Sequence, residues 1–144
     1  MSRHASRERA LQTLCQMDVN EMGAEKAVDY TKDMLGDVDY DIPFYRALLN
    51  GVLSDRETID RVINQYSEDW QLERMPGVDR NILRIAIFEL VYERELPHAV
   101  VMDEAVELSK EYGTERSAKF INGVLAGILK DIGPLREQAQ RLTE

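Results

Sequence analysis

The chain has one cysteine, Cys15, and two histidines, His4 and His98, among 144 residues. A lone thiol closes no internal disulfide, which points to a reducing, cytoplasmic setting. With these three residues far apart in sequence, a Cys/His zinc site is not expected. No run approaches the ~20 apolar residues of a membrane span. The opening residues, MSRHASRERA, lack the apolar run of a secretory leader. Neither the dinucleotide fingerprint nor the P-loop pattern occurs. Strand-like alternation is scarce, and repeats and low-complexity segments are absent. Signs of catalysis are missing too. Cys15 lies on an apolar helical face with no histidine in obvious reach. Asp103, Glu104, Glu107 and Glu111 spread along one helix as a solvated acidic face, without a converging partner set. No enzyme activity, cofactor or metal site is expected.

What is present suffices for a folded core. Hydrophobic residues make up 44% and charged residues 31%, and the length favours one domain over 1–144. The 27 acidic side chains outnumber the 18 basic ones, giving a net charge of −9. Such a chain has no global attraction for nucleic acid, so any nucleic-acid role must rest on a local basic patch.

Apolar spacing predicts an all-α fold of about seven helices. The first covers 6–19, on a stripe of Ala10, Leu11, Leu14 and Cys15. The second covers 24–35 and stops at Gly36. An acidic connection at 37–41 follows, and Pro43 suits the first turn of the next helix. Ser54 is placed to cap a further helix, with Glu57 completing a capping box. Met75-Pro76-Gly77 breaks the chain. Asp79 then opens a helix to about residue 95 whose apolar stripe is wide enough to make it central. Helices at 101–112 and from Thr114 to about 132 follow. Gly133-Pro134 breaks the last of these, and a short polar helix closes the chain. Gly123 and Gly127 suggest a close helix contact, and Tyr66 and Trp70, four apart, read as a packed pair.

Two basic spots stand out. Arg3, Arg7 and Arg9 face only Glu8, and Arg3 and Arg7 continue the line of Ala10, Leu11 and Leu14. A buried stripe cannot continue as unpaired arginine. This stretch is therefore expected to leave the core, either toward a ligand or as a frayed, solvated terminus. The second spot, Arg116-Ser117-Ala118-Lys119-Phe120, opens a helix whose free N–H groups suit phosphate. Phe120 either stacks on a base or belongs to the core.

Four blocks together resemble the NusB family. They are the central string from Asp79 to Leu90, Asp103-Glu104-Ala105-Val106-Glu107-Leu108-Ser109-Lys110 with Tyr112-Gly113, Lys119-Phe120-Ile121-Asn122-Gly123-Val124-Leu125, and the N-terminal Arg7 to Gln12. They occur in the family's order and spacing over essentially the whole chain. The resemblance implies two packed helical bundles and a transcription antitermination factor. Such a factor would bind boxA RNA of nascent ribosomal RNA transcripts with the ribosomal protein NusE, within the antitermination complex of RNA polymerase. Carried over by position, the RNA-binding candidates are Arg3, Arg7, Lys119 and Phe120, with Arg116 and Asn122. The partner-binding candidates are Glu89, Tyr92 and Glu93. Some family members are homodimers. Two other readings are an interaction adaptor with a vestigial RNA patch and a stand-alone relative of the N-terminal domain of ribosomal RNA cytosine methyltransferases. Cys15 stands where the family often has an aromatic residue.

Overall fold

The structure, a computed structural model, describes residues 2–36, 39–68 and 70–143. Ser2 opens α1 (Arg3–Asn20), its hydroxyl oxygen accepting from the Ala5 N–H at 3.1 Å. This cap starts the helix before the point where the apolar stripe becomes visible. α2 (Ala24–Leu35) ends at Gly36 as predicted. α3 (Ile42–Ser54) carries Pro43 in its first turn, and the Asp41 carboxylate caps it by accepting from the Phe44 N–H at 3.1 Å. Residues 37 and 38 of the predicted acidic connection lie outside the described residues.

Several boundaries differ from expectation, each for a local reason. Ser54 does not cap α4 (Arg56–Tyr66), because α3 continues through it and Asp55 forms the junction. Asp79 does not cap α5 (Gly77–Tyr92) but lies buried within its first turn. Pro97 fixes the start of α6 (His98–Tyr112) earlier than its apolar residues suggest. Thr114 belongs to the turn before α7 (Ser117–Lys130). Gly133 and Pro134 do not separate helices. They lie in the first turn of α8 (Ile132–Thr143), where a missing N–H costs nothing. The described residues thus form eight α-helices and one 3-10 turn at Leu72–Arg74.

The all-α architecture is as the sequence predicts, with α5 at its centre. Residues 81–91 are all buried, and α5 packs against α1, α3, α4, α6, α7 and α8. Around it, α1 packs against α2 and α3, while α7 packs against α4 and α6. The buried polar residues of α5, Asp79, Asn81, Arg84 and Glu89, are all paired, whereas Arg80 Nε on the same helix is buried without a hydrogen-bond partner. Arg84 donates to both Asp60 carboxylate oxygens at 2.8 and 3.0 Å. Asn81 donates to Asp18 at 3.0 Å. Burial pushes the Asp18 carboxyl up, but the Asn81 hydrogen bond and the Arg84 and Arg80 charges outweigh it and hold it below the usual range. Among the described residues no helix is long and apolar enough to cross a membrane.

Candidate nucleic-acid interface

The N-terminal arginines do not behave as their stripe suggests. Arg7 stays in the core, 3% exposed, and its guanidinium makes a two-pronged bond to Glu89 at 2.8 Å on each arm. Glu89 is itself 1% exposed. For Arg7 the physical premise stands, since it is buried with a paired carboxylate, but it leaves the core neither toward a ligand nor as a frayed end. The partner is 82 residues away, beyond the reach of any local pattern. Glu89 is consumed in the same way, so its carboxylate is not presented to a docking protein.

The terminus is pinned rather than frayed. The Ser6 hydroxyl donates to the Asp41 carbonyl oxygen at 2.9 Å. Arg9 is buried, donates to the Gly36 carbonyl oxygen at 2.8 Å and lies 4.2 Å over the Tyr40 ring. Of the three arginines only Arg3 is exposed, its guanidinium 4.6 Å over the Phe44 ring.

The second basic spot forms a groove. Asp79, in the first turn of α5, accepts from the Ser117 hydroxyl at 2.7 Å and so ties the start of α7 to the central helix. Burial pushes the Asp79 carboxyl up, and the Ser117 bond only partly opposes this. Gly113 makes the approach possible, because a Cβ there would lie 2.5 Å from the Ser117 Oγ and 2.8 Å from the Ser109 carbonyl oxygen. The resulting depression, about 960 Å³, is lined by Trp70, Phe120, Arg116 and Lys119 together with the acidic Glu68, Asp79 and Glu115. Arg116 and Lys119 are exposed, and neither side chain has an ion-pair partner among the described residues. Phe120 is half-buried, with part of its ring against the core and part lining the groove. Cations beside aromatic faces can take phosphates and unstacked bases together. Asn122 is exposed but does not line the groove.

The two basic spots lie on different elements, the first turn of α1 and the start of α7. Arg3 sits beside Phe44, whereas Gln12, about 14 Å further along α1 at the usual helical rise, reaches the Tyr112 hydroxyl at 3.4 Å. Tyr112 ends α6, just before the turn into α7. His4, next to Arg3, reaches Glu111, the residue before Tyr112, so the first turn of α1 also meets the end of α6.

Tyr92 and Glu93 end the central helix. Tyr92 stacks on Phe88 with centroids 5.4 Å apart and lines an apolar cleft of about 430 Å³ with Ile59, Val62, Val91 and Leu135. Glu93 is exposed.

Other residues also sit differently from their sequence reading. Trp70 does not pack with Tyr66 as one helical pair, because α4 ends at Tyr66 and helical spacing no longer applies. Trp70 is instead 47% exposed in the groove, and Tyr66 donates to Asp131 at 2.6 Å. Neither glycine is needed for a close approach, since a Cβ at Gly127 would make ordinary contact with Tyr66 at 3.4 Å and one at Gly123 would meet nothing within 4 Å. The carboxylates of α6 do find a convergent partner, since His4 contacts both Glu104 and Glu111. Cys15 is half-buried, and burial pushes its thiol up against the pull of the Asn81 hydrogen bond, so it is a poor nucleophile.

The sequence profile of the NusB family matches residues 4–130. A transcription antitermination protein NusB from Heliobacterium modesticaldum is 43% identical over 136 residues, covering 94% of this chain and 66% of that protein. Its Bacillus subtilis counterpart is 39% identical over 132 residues, covering 92% and 98%. Among solved structures, T. maritima NusB superimposes with a TM-score of 0.80 at 35% identity, covering 90% of this chain and 92% of that one. A chain from a complex of the antitermination factors NusB and NusE with dsRNA gives a TM-score of 0.80 at 25% identity, covering 91% and 99%.

Proposed function

This chain belongs to the NusB family, and from that premise we propose that it is a transcription antitermination factor. It binds boxA RNA of nascent ribosomal RNA transcripts together with NusE, as one helical domain over 1–144 in the cytoplasm, without catalysing a reaction. The observation that carries the reading is the groove at the start of α7, where Arg116 and Lys119, without ion-pair partners among the described residues, line the same depression as Phe120 and Trp70. RNA recognition by single-stranded elements needs this pairing of charge with exposed ring faces. Arg3, exposed on the first turn of α1, supplies a further phosphate contact. Arg7 and Glu89 hold the scaffold, and Tyr92 and Glu93 remain as the partner-facing candidates.

An adaptor with weak RNA binding is the second reading, favoured by the burial of Arg7 and Arg9, which leaves Arg3 as the exposed arginine of the three.

Fluorescence anisotropy of labelled boxA RNA, with and without NusE and at one salt concentration, separates the two. Selective binding over a scrambled RNA, tightened by NusE, supports the antitermination reading. In a salt series, Lys119→Ala then lowers the slope by about 0.7 for each phosphate it no longer neutralises. Trp70→Ala weakens binding by about 1–3 kcal/mol if a base stacks there. NusE binding without RNA selectivity leaves the adaptor.

A further inference from the structure

We propose that His4, Glu8 and Glu111 form a site for a divalent transition-metal ion, with zinc the ion that their donor set fits. The site lies where the first turns of α1 meet the C-terminal half of α6, apart from the groove. His4 Nδ1 lies 2.7 Å from Glu104 Oε2. Its Nε2 lies 3.4 Å from Glu8 Oε1 and 3.3 Å from Glu111 Oε1. These last three atoms all lie within 4.8 Å of one another.

The arrangement is that of a three-ligand site with its supports. With the ring proton on Nδ1 and donated to Glu104, the Nε2 lone pair faces two carboxylate oxygens. Three electron pairs then converge, and a positive species, a second ring proton or a metal ion, must sit among them. Zinc bonds of ~2.1 Å to nitrogen and oxygen place tetrahedral ligand atoms about 3.4 Å apart, which matches the two edges at Nε2. Glu104 serves as the outer carboxylate that orients a metal-bound histidine. Glu8 is held likewise, because the Tyr112 hydroxyl donates to its other oxygen, Oε2. A buffering charge is also at hand, with Arg7 3.8 Å from Glu104. The side chains of His4, Glu8 and Glu111 are 33%, 26% and 42% exposed, so an ion can enter and water can complete the tetrahedron. One imidazole nitrogen with two carboxylates suits zinc better than magnesium or calcium, which favour oxygen ligands throughout. Binding leaves the Nδ1 proton in place and displaces any proton on Nε2 to solvent.

The test is isothermal titration of the full chain with zinc chloride in a non-chelating buffer, alongside thermal unfolding. One saturable ion per chain is expected, with a raised unfolding midpoint and no comparable response to magnesium. His4→Ala and Glu111→Gln abolish that saturable binding, and Glu104→Gln weakens it about tenfold or more. Glu107→Gln, on the same helix but outside the triangle, leaves it unchanged. Glu111 is exposed, so Glu111→Gln keeps the test valid should His4→Ala disturb the helix start. Absence of saturable binding overturns the proposal. So does binding undiminished in Glu111→Gln, which would place the ion elsewhere, as on Cys15 or His98.

Discussion

Arg7 and Glu89 meet under full burial, and the consequences of separating them differ from those of removing both. Arg7→Met leaves a carboxylate with little water and no cation, which costs about 3–5 kcal/mol. Glu89→Leu strands the guanidinium at a similar cost. The double variant Arg7→Met/Glu89→Leu replaces the pair by apolar volume and recovers most of the stability. Urea denaturation of the four proteins measures this directly, and additive losses in the double variant would contradict a mutually dependent pair. This pair also marks where reading residues one at a time runs out. Burial of an arginine is decided by its partner, and Glu89 stands 82 positions away. The same holds for His4, whose carboxylates on α6 are 100 and 107 positions distant. The local basic and acidic characters of these segments are legible in the sequence, but their mutual neutralisation is not.

At the scale of elements, α3 meets the Phe88 ring of α5 at Gly51. A Cβ placed there would lie 2.2 Å from the Phe88 ring, far inside contact distance. Gly51→Ala must therefore rotate or displace Phe88, which breaks its stacking on Tyr92. We expect a destabilisation of about 1–3 kcal/mol, the usual cost of overpacking, seen as a lower thermal midpoint with the helical signal retained. Gly51→Ala/Phe88→Leu, which makes room, should restore part of it. Helix identity is readable in the sequence because periodic apolar residues, Gly36 and Pro43 act within a few positions of the boundary they set. Gly133-Pro134 misleads because the same dipeptide that ends a helix also fits the first turn of one. Trp70 misleads because spacing by four is meaningful only while the helix continues. Its place in the groove follows from the chain leaving α4, which no side-chain pattern announces.

On the scale of the whole molecule, the net charge of −9 leaves single cations such as Arg3, Arg116 and Lys119 to act against a repulsive background, to which Glu68, Asp79 and Glu115 in the groove itself contribute. Salt screens that repulsion along with the local attraction, so RNA binding should lose less affinity on adding salt than its cationic contacts alone would give, while a basic partner protein is drawn in by the same field. The architecture has another outcome. Because α5 is walled in by six other helices and exposes none of residues 81–91, no bundle on either side can open without uncovering it. We therefore expect that helix to be the last to open, its amides meeting solvent through loss of the whole fold. Native-state hydrogen exchange should find the protection of residues 82–91 equal to the global free energy of unfolding, with the first turn of α1 and the end of α8 exchanging far sooner.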